Sequence, residues 1–487
     1  VVLARIKREL VGRCTFPATN WLLNRKRIRQ TYGALMDSDV WTAQMLAETQ
    51  LRRLRRTLTH AERWCPFYAD RFRTAGIRPE DIRQLDDIRQ IPPLSRQDLI
   101  DHRKDLVDRR LHDSVEAAER ASRPPGLPIN FAPFRRHRLV RNTSTGSTGK
   151  PVVFYEDGST TALTWAHEML VKRWFGLAPG EREARFARIS TEYVADSKSL
   201  RIRQRLWNQL VLPGINMADA DYALCLERIT AFRPRILFGV TTALTGLAKY
   251  VRGQSLPAGT IAPDVIITWA SPLYDHEKAL LQETFNCPVT SIYGSRELGH
   301  VASVCPHGSM HVHQENYYVE VEHESAEAAT TAPGQLLITP LFPTPMPFVR
   351  YRLGDVGGLT ASDCPCGRQH TVLQKLLGRS AEIFTTAGGR TIPPNFWCRA
   401  FMGEDGSHHV EQFQVVLERA GGLRFRVVRR PNFTAETEAV LRRYLAEQLQ
   451  DEMSMAFEYV DHIAAQPSGK FQMVVDERAP QSTEAGR

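Results

Sequence analysis

The sequence predicts an α/β protein in two parts: a large N-terminal domain of mixed sheets and helices over residues 1–378, and a small α+β domain over residues 379–487. Three observations carry that expectation. The 487 residues exceed what one ordinary core serves, and 42% hydrophobic with 24% charged residues are globular proportions. Between residues 152 and 293, short apolar runs alternate with stretches of helical spacing, the pattern of βα units and a largely parallel sheet. Beyond Arg379 the pattern changes to two alternating runs, one helix and a last strand.

Taken in order, Trp41 to Ala61 carries Met45, Leu46, Leu51, Leu54 and Leu58 at helical spacing among arginines. Pro66-Phe67-Tyr68 breaks that pattern, and Ile91-Pro92-Pro93-Leu94-Ser95 forms a turn whose serine can cap a helix through Leu99. Residues 121–133, rich in proline and alanine, read as a surface loop. Strands are expected at Val152–Tyr155, Arg235–Gly239, Val265–Trp269 and Val289–Tyr293, with helices at Thr160–Phe175, Thr242–Arg252 and Asp275–Phe285 between them. Ligands of such sheets gather in loops at the carboxyl ends of the strands. In the tail, Glu411–Glu418 and Leu423–Arg430 alternate and are joined by Ala420-Gly421-Gly422, which reads as a hairpin. Thr434 caps a helix to Leu449, and Met455–Ile463 closes the unit as a strand.

Charge and cysteines bound the function. Lys and Arg number 63 against 54 Asp and Glu, a net +9 that suits an anionic substrate. The basic residues are spread along the chain and no nucleic-acid motif accompanies them, so no nucleic-acid partner is expected. No apolar run is long enough for a membrane span, and the first residues carry no signal-peptide pattern. The 8 cysteines are scattered rather than arranged as a disulfide framework, so a cytoplasmic location is expected. Oligomeric state is not readable.

The densest chemical signal is Thr143-Ser144-Thr145-Gly146-Ser147-Thr148-Gly149-Lys150-Pro151, directly before the first strand. Glycines let backbone N–H groups approach an anion, hydroxyls add donors and Lys150 adds charge, so the loop suits phosphates. Its glycine spacing and Pro151 exclude a Walker A loop. Alone, such a stretch reads equally as a flexible turn.

Four further clusters follow in fixed order: Tyr293-Gly294-Ser295-Arg296-Glu297, Arg350-Tyr351-Arg352-Leu353-Gly354-Asp355, Gly378-Arg379-Ser380-Ala381-Glu382 and Pro467-Ser468-Gly469-Lys470-Phe471. Together with the loop they resemble the adenylate-forming superfamily of acyl-CoA synthetases, adenylation domains and luciferases. The Cys364-Pro365-Cys366-Gly367-Arg368 segment, the Cys305/His311 stretch, Pro66-Phe67-Tyr68 and Ile91–Ser95 resemble its phenylacetate–CoA ligase/CapK-like branch. That branch also includes coenzyme F390 synthetase-like proteins.

The resemblance implies ATP-dependent activation of a small-molecule carboxylate, of aryl or other apolar type, as an acyl-adenylate and its transfer to the thiol of CoA. The alternatives are an amine or hydroxyl acceptor, or AMP transfer as in F390 synthetase-like proteins. It implies that Ser144, Thr145, Gly146, Ser147, Thr148, Gly149 and Lys150 wrap the ATP phosphates and that Tyr293, with Gly294, meets the adenine. Asp355 would accept from the ribose hydroxyls, and Arg379 at the hinge would contact the nucleotide. Glu297 would bind Mg²⁺, and Lys470 would be the catalytic cation between carboxylate and α-phosphate. Two departures stand out: Ala381 replaces an aspartate common at the hinge, and Ala387-Gly388-Gly389-Arg390 replaces a Gly-Val-Asn or Gly-Lys pattern. Both bear on the thioester step rather than on adenylation.

Cys305, His311, Cys364 and Cys366 offer three sulfurs and an imidazole, an acceptable structural Zn²⁺ set. His307 and His313 compete with His311 for the fourth place, and the Cys-x-Cys spacing is tighter than usual. The alternative is a cysteine packed in a core beside a Pro-Gly surface loop. The pairing resembles zinc-binding proteins of the branch.

Overall fold

The structure is a computed structural model that describes residues 10–15, 27–120, 139–144, 152–187, 206–214, 217–254, 256, 259–323, 333–379, 383–385, 391–392, 396–397, 400–401, 409–449, 453–464 and 472–478.

The N-terminal helices assemble against the antiparallel part of the main sheet. Helix Ala43–Trp64 starts at Thr42, whose hydroxyl accepts from the Met45 N–H at 3.2 Å, and it buries Leu46, Leu54, Leu58 and Ala61. Pro66 interrupts the helix only briefly. It opens the next one, Pro66–Ala75, because a first-turn position leaves its missing N–H without cost. Ser95 caps Arg96–Asp101 as expected, in a reciprocal box with Asp98 at 3.1 and 2.8 Å. The segment before it docks on strand Tyr351–Thr360 through Leu94, which exchanges backbone hydrogen bonds with Arg350 and Arg352.

The main sheet has 11 strands. In chain order the strands of the molecule are β1 (Val140–Ser144), β2 (Val152–Glu156), β3 (Glu183–Ala187), β4 (Gln209–Pro213), β5 (Ile236–Val240), β6 (Val265–Trp269), β7 (Val289–Ser295), β8 (Gly299–Val304), β9 (Met310–Val312), β10 (Tyr317–Glu322), β11 (Gly334–Pro340), β12 (Tyr351–Thr360) and β13 (Val372–Arg379). The spatial order is β10-β11-β12-β13-β9-β8-β7-β6-β5-β3-β4. From β4 to β7 every pairing is parallel, and from β7 onward every pairing is antiparallel. The largely parallel sheet expected from the sequence is therefore half of a mixed one. The reason is connection length. Helices supply the crossovers from β4 to β5, β5 to β6 and β6 to β7, whereas β7 and β8 are joined by the three-residue turn 296–298, too short for a parallel return.

Helices Asp219–Phe232, Thr241–Gly253 and Asp275–Phe285 cover one face of the parallel half, packed on Leu237, Ile266 and Phe186. The other face receives helix Gly158–Trp174, capped by Asp157, whose carboxylate accepts from the N–H of Ser159 at 2.9 Å. Under that helix lies a buried ion network. Arg185 binds Glu183 at 2.7 Å and Glu168, while Lys172 binds Glu183. Burial works to raise the Glu183 carboxyl, but Arg185 and Lys172 outweigh it and hold it down at about 2.

The glycine-loop hairpin is a separate two-stranded sheet. Its register runs from Val140↔Glu156 to Ser144↔Val152, so β1 and β2 bracket residues 145–151. The chain ends in a separate α+β unit with strands β14 (Phe384–Thr385) and β15 (Thr391–Ile392), then β16 (Val410–Leu417), β17 (Leu423–Arg429), β18 (Met455–Tyr459) and β19 (Val474–Asp476). The last four form a sheet ordered β18-β17-β16-β19. The β16–β17 hairpin turns at Gly421, whose φ of 86° favours glycine. Thr434 caps helix Ala435–Leu449, accepting from the Thr437 N–H at 3.2 Å. That helix buries Leu441, Leu445 and Leu449 against Phe413 and Phe425. Fully burying one such side chain contributes about 1.5–3 kcal/mol. Strand β18 ends at Tyr459, short of the expected Ile463, because the pairing with β17 ends there.

Candidate active site and metal centre

Tyr293 is near the end of β7 and Asp355 lies on β12, 62 residues later in the chain. The Tyr293 hydroxyl donates to Asp355 Oδ2 at 2.8 Å, and both side chains are buried. Asp355 pairs in register with Arg379 on β13, which brings the Arg379 backbone to the same place. The described geometry of Arg379 is its backbone alone. Glu297 sits in the turn between β7 and β8 and is 9% exposed.

Gly294 has a steric reason. A Cβ built there would lie 1.9 Å from the Gly299 carbonyl oxygen, so β7 and β8 can close around Glu297 only with hydrogen at this position. Gly299 itself has φ +77°, and a Cβ on it would stand 3.0 Å from Thr164 Oγ1. Ser144 ends β1 with its backbone in register. Thr145, Gly146, Ser147, Thr148, Gly149 and Lys150 lie outside the described residues, as does Lys470. Tyr293, Gly294, Glu297, Asp355 and the backbone of Arg379 are thus placed by β7, the turn after it, β12 and β13.

Two residues escaped sequence reasoning. Glu156, at the end of β2, accepts from Asn142 Nδ2 at 2.6 Å across the base of the glycine loop. Burial pushes its carboxyl up to about 8 against the pull of Arg296 and Asn142, while Asp157 and Glu297 push it further. The loop hairpin and the Glu297 turn therefore lie within each other's electrostatic reach. The stretch Tyr-Glu-Asp offers no spacing that would have flagged it. Arg350, read only as part of a motif, is a structural anchor. It binds Glu320 through Nε and Nη2 at 3.0–3.2 Å, donates to the Ile91 carbonyl, and holds φ at 52°. Its guanidinium ties the Ile91–Ser95 segment to the sheet.

The four proposed metal ligands converge. Their donor atoms all lie within 4.8 Å of one another, with Cys305 Sγ 3.6 Å from Cys364 Sγ and Cys366 Sγ 3.2 Å from His311 Nε2. A tetrahedral zinc with thiolate bonds near 2.3 Å places two sulfurs about 3.8 Å apart, so the sulfur spacing fits. The local fold explains the convergence. Cys305-Pro306-His307-Gly308 and Cys364-Pro365-Cys366-Gly367 form matching turns, each closed by the glycine N–H on the cysteine carbonyl, at 2.9 and 3.1 Å. Both glycines have positive φ, 91° and 81°. The repeated Cys-Pro-x-Gly was a signal available in the sequence.

His311 is the imidazole brought in. Burial pushes it down to about 4, leaving it neutral, and its Nδ1 faces the His370 carbonyl at 3.3 Å, which turns Nε2 toward the sulfurs. His313 bonds Ser303 instead, at 3.0 Å. His167, His313 and Glu315 also cluster, but the two imidazoles stack at 4.0 Å with 14° between their planes. Nearly parallel rings cannot aim in-plane lone pairs at one ion, so this second cluster reads as buried packing.

Comparison with known proteins bears on the fold. Residues 384–477 match the family described as the CapK C-terminal domain. The phenylacetate–coenzyme A ligase of Thermus thermophilus is 24% identical over 388 residues, covering 78% of this chain and 79% of its own. Protein CapK of Staphylococcus aureus is 23% identical over 260 residues, covering 51% and 55%. Among solved structures, a 2-hydroxyisobutyryl-CoA ligase in its postadenylation state aligns with TM-score 0.69 at 19% identity, covering 91% of each chain. The same ligase in its thioesterification state aligns at 0.55. Fold and matches together define the class, an adenylate-forming ligase. Within that class the chain's matches lie in the phenylacetate–CoA ligase/CapK-like branch.

Proposed function

We propose that this protein activates a carboxylic acid with ATP and passes the acyl group to the thiol of CoA, with an aryl or other apolar acid as substrate. A carboxylate oxygen attacks the α-phosphorus, pyrophosphate leaves, and an acyl-adenylate remains. The thiol then attacks the acyl carbon, loses its proton and releases AMP.

The observation that carries this reading is the Tyr293–Asp355 hydrogen bond beside Gly294 and the Glu297 turn, which joins motifs far apart in sequence. Asp355 would offer its buried carboxylate to the ribose hydroxyls, and Tyr293 would pack on the adenine. Ser144 at the end of β1 and residues 145–150 between β1 and β2 would surround the β- and γ-phosphates with N–H groups and hydroxyls. Arg379 would reach the nucleotide from the hinge. Glu297 is the oxygen donor that would hold Mg²⁺, which supplies charge neutralisation to the phosphates. Lys470 would bring its ammonium to the carboxylate and α-phosphate, where charge develops.

The CapK C-terminal match and Ala381 at the hinge favour a second reading, the same adenylation followed by an amine or hydroxyl acceptor or by AMP transfer. Pyrophosphate release should be measured across a panel of acids with and without CoA. Release that yields a thioester only with CoA supports the first reading, and release with no CoA-dependent product supports the second. No acid-dependent release or ATP–pyrophosphate exchange would remove both. Cys305, His311, Cys364 and Cys366 would hold Zn²⁺ as a structural cross-link between two loops, since four protein ligands leave no open position.

A further inference from the structure

We propose that Arg368 and Asp39 couple the Cys305/His311/Cys364/Cys366 centre to the N-terminal helix Arg27–Ser38, so that metal binding and helix docking stabilise each other. The inference rests on the reading of that centre as a zinc site.

Asp39 follows the helix directly, its N–H bonded to the Leu35 carbonyl at 3.0 Å. Its carboxylate takes a bidentate pair from Arg368, Nε to Oδ1 at 2.6 Å and Nη2 to Oδ2 at 3.0 Å. The pair is shielded, with side chains 13% and 15% exposed. Trp174 Nε1 donates to the same Oδ1 at 3.0 Å, and the guanidinium lies 4.2 Å above the Trp174 ring. Burial works against the guanidinium's charge, but Asp39 and then the Cys366 sulfur, two residues away along the chain, favour it. One side chain thus joins the helix's carboxylate to the loop that carries two of the proposed metal ligands.

The charges make the coupling directional. Three thiolates and a neutral imidazole around Zn²⁺ leave one net negative charge. Arg368 then sits between two anions, Asp39 and the centre. Without metal the Cys364–Cys366 loop loses its cross-link to Cys305 and His311, and Arg368 on that loop is held less firmly against Asp39. The helix loses part of its anchor at that moment. Its apolar side, Ile28, Tyr32 and Leu35, still packs on helix Gly158–Trp174. Leu35, Ser38 and Asp39 border a crevice whose other walls include Trp174, His311 and His370. Reciprocity requires that whatever zinc does for the helix, the helix does for zinc.

The test uses the full chain. Zinc content is measured by elemental analysis, affinity by competition with a chromophoric chelator, and helix docking by hydrogen exchange over residues 27–38. Arg368→Met and Asp39→Asn should each weaken zinc binding by about 10–100-fold, the range for outer-shell partners of a metal. Arg368→Lys should fall between, keeping the charge and losing the bidentate fork. Stripping zinc from the wild type should raise exchange over 27–38 more than over helix Ala435–Leu449, and zinc should restore protection. Unchanged zinc affinity in both Arg368→Met and Asp39→Asn, or unchanged exchange on stripping, overturns the coupling while leaving the zinc site standing. A wild type that neither contains nor takes up zinc overturns the reading of the centre and the coupling with it. Circular dichroism separates unfolding of Arg368→Met from loss of the metal, and Asp39→Asn supplies the readout if Arg368→Met fails to fold.

Discussion

Tyr293 spends its hydroxyl on Asp355 in a buried setting, so removing that one oxygen isolates a carboxylate lone pair from its donor. Tyr293→Phe should cost roughly 1–3 kcal/mol, the range for a buried group losing its partner. If Asp355 meets the ribose, the loss should fall mainly on the KM for ATP. A Tyr293→Phe enzyme with unchanged melting temperature and unchanged KM for ATP would show that the bond orders nothing. Lys470→Ala is the contrasting case, since its charge would act only where charge develops. Pyrophosphate exchange should fall by about 10²–10³ while ATP still binds. Exchange at the wild-type rate with the proper acid would refute the assignment. Gly294 was legible as a motif residue but not as a steric one, because the Gly299 oxygen that excludes its Cβ comes from another strand. Asp355, inside a glycine-rich run, reads locally as a turn former, although it lies mid-strand.

Strands β5, β6 and β7 were legible because each is a short apolar run closed by turn residues, and Val265–Trp269 and Asp275–Phe285 run where the pattern places them, whereas β3 and β4 of the same parallel half were not read, since Glu183 and Arg185 break the apolar run of β3. The antiparallel half was opaque. Strand β12 carries Gly354, Gly357 and Gly358, which local propensity assigns to loops, and β9 has only 3 residues. The ion network under helix Gly158–Trp174 was equally hidden, since charged residues at helical spacing look like a solvated face. It yields a pH prediction. Glu183 is depressed to about 2 from an ordinary value of 4.5. Its contribution is therefore complete above about pH 4.5 and is lost as pH falls through 2, an effect on the order of 3 kcal/mol. Glu183→Gln should lower the melting temperature at pH 7, by an amount equivalent to about 3–5 kcal/mol if Arg185 and Lys172 are left undercompensated. It should also flatten the decline of stability between pH 5 and pH 3. Parallel melting curves for wild type and Glu183→Gln across that interval would exclude Glu183 as the acid-sensitive group.

Across the molecule, the C-terminal unit has its own core around Trp397, Phe425 and Leu445, and Tyr274 from the large part packs against it. The two-part organisation was readable because the change of pattern coincides with that separate core. A rotation between the parts would leave no such mark, since rotation leaves no periodicity in a sequence. Lys470 belongs to the small part by its position, whereas its proposed target is held by residues 144–150 of the large one. We therefore expect alternation about Ser380–Glu382, with one orientation for adenylation and another for the acceptor. Ala381→Pro should fix φ there and lower one half-reaction far more than the other. Pyrophosphate release and acceptor transfer should be followed separately. Equal loss in both at unchanged thermal stability would point to a single fixed site.

Strand β8 has 6 residues, starts just after the Glu297 turn and stops one residue before Cys305. At about 3.3 Å per residue it is a strut of roughly 20 Å, with the proposed magnesium ligand at one end and the first sulfur at the other. A pleated strut cannot change length by one residue without turning every side chain to the opposite face. Inserting or deleting a single residue between Gly299 and Val304 would therefore misplace both ends together. The eight-residue step from Glu297 to Cys305 is in this sense a ruler, and two sites with no chemistry in common are obliged to stand a fixed distance apart.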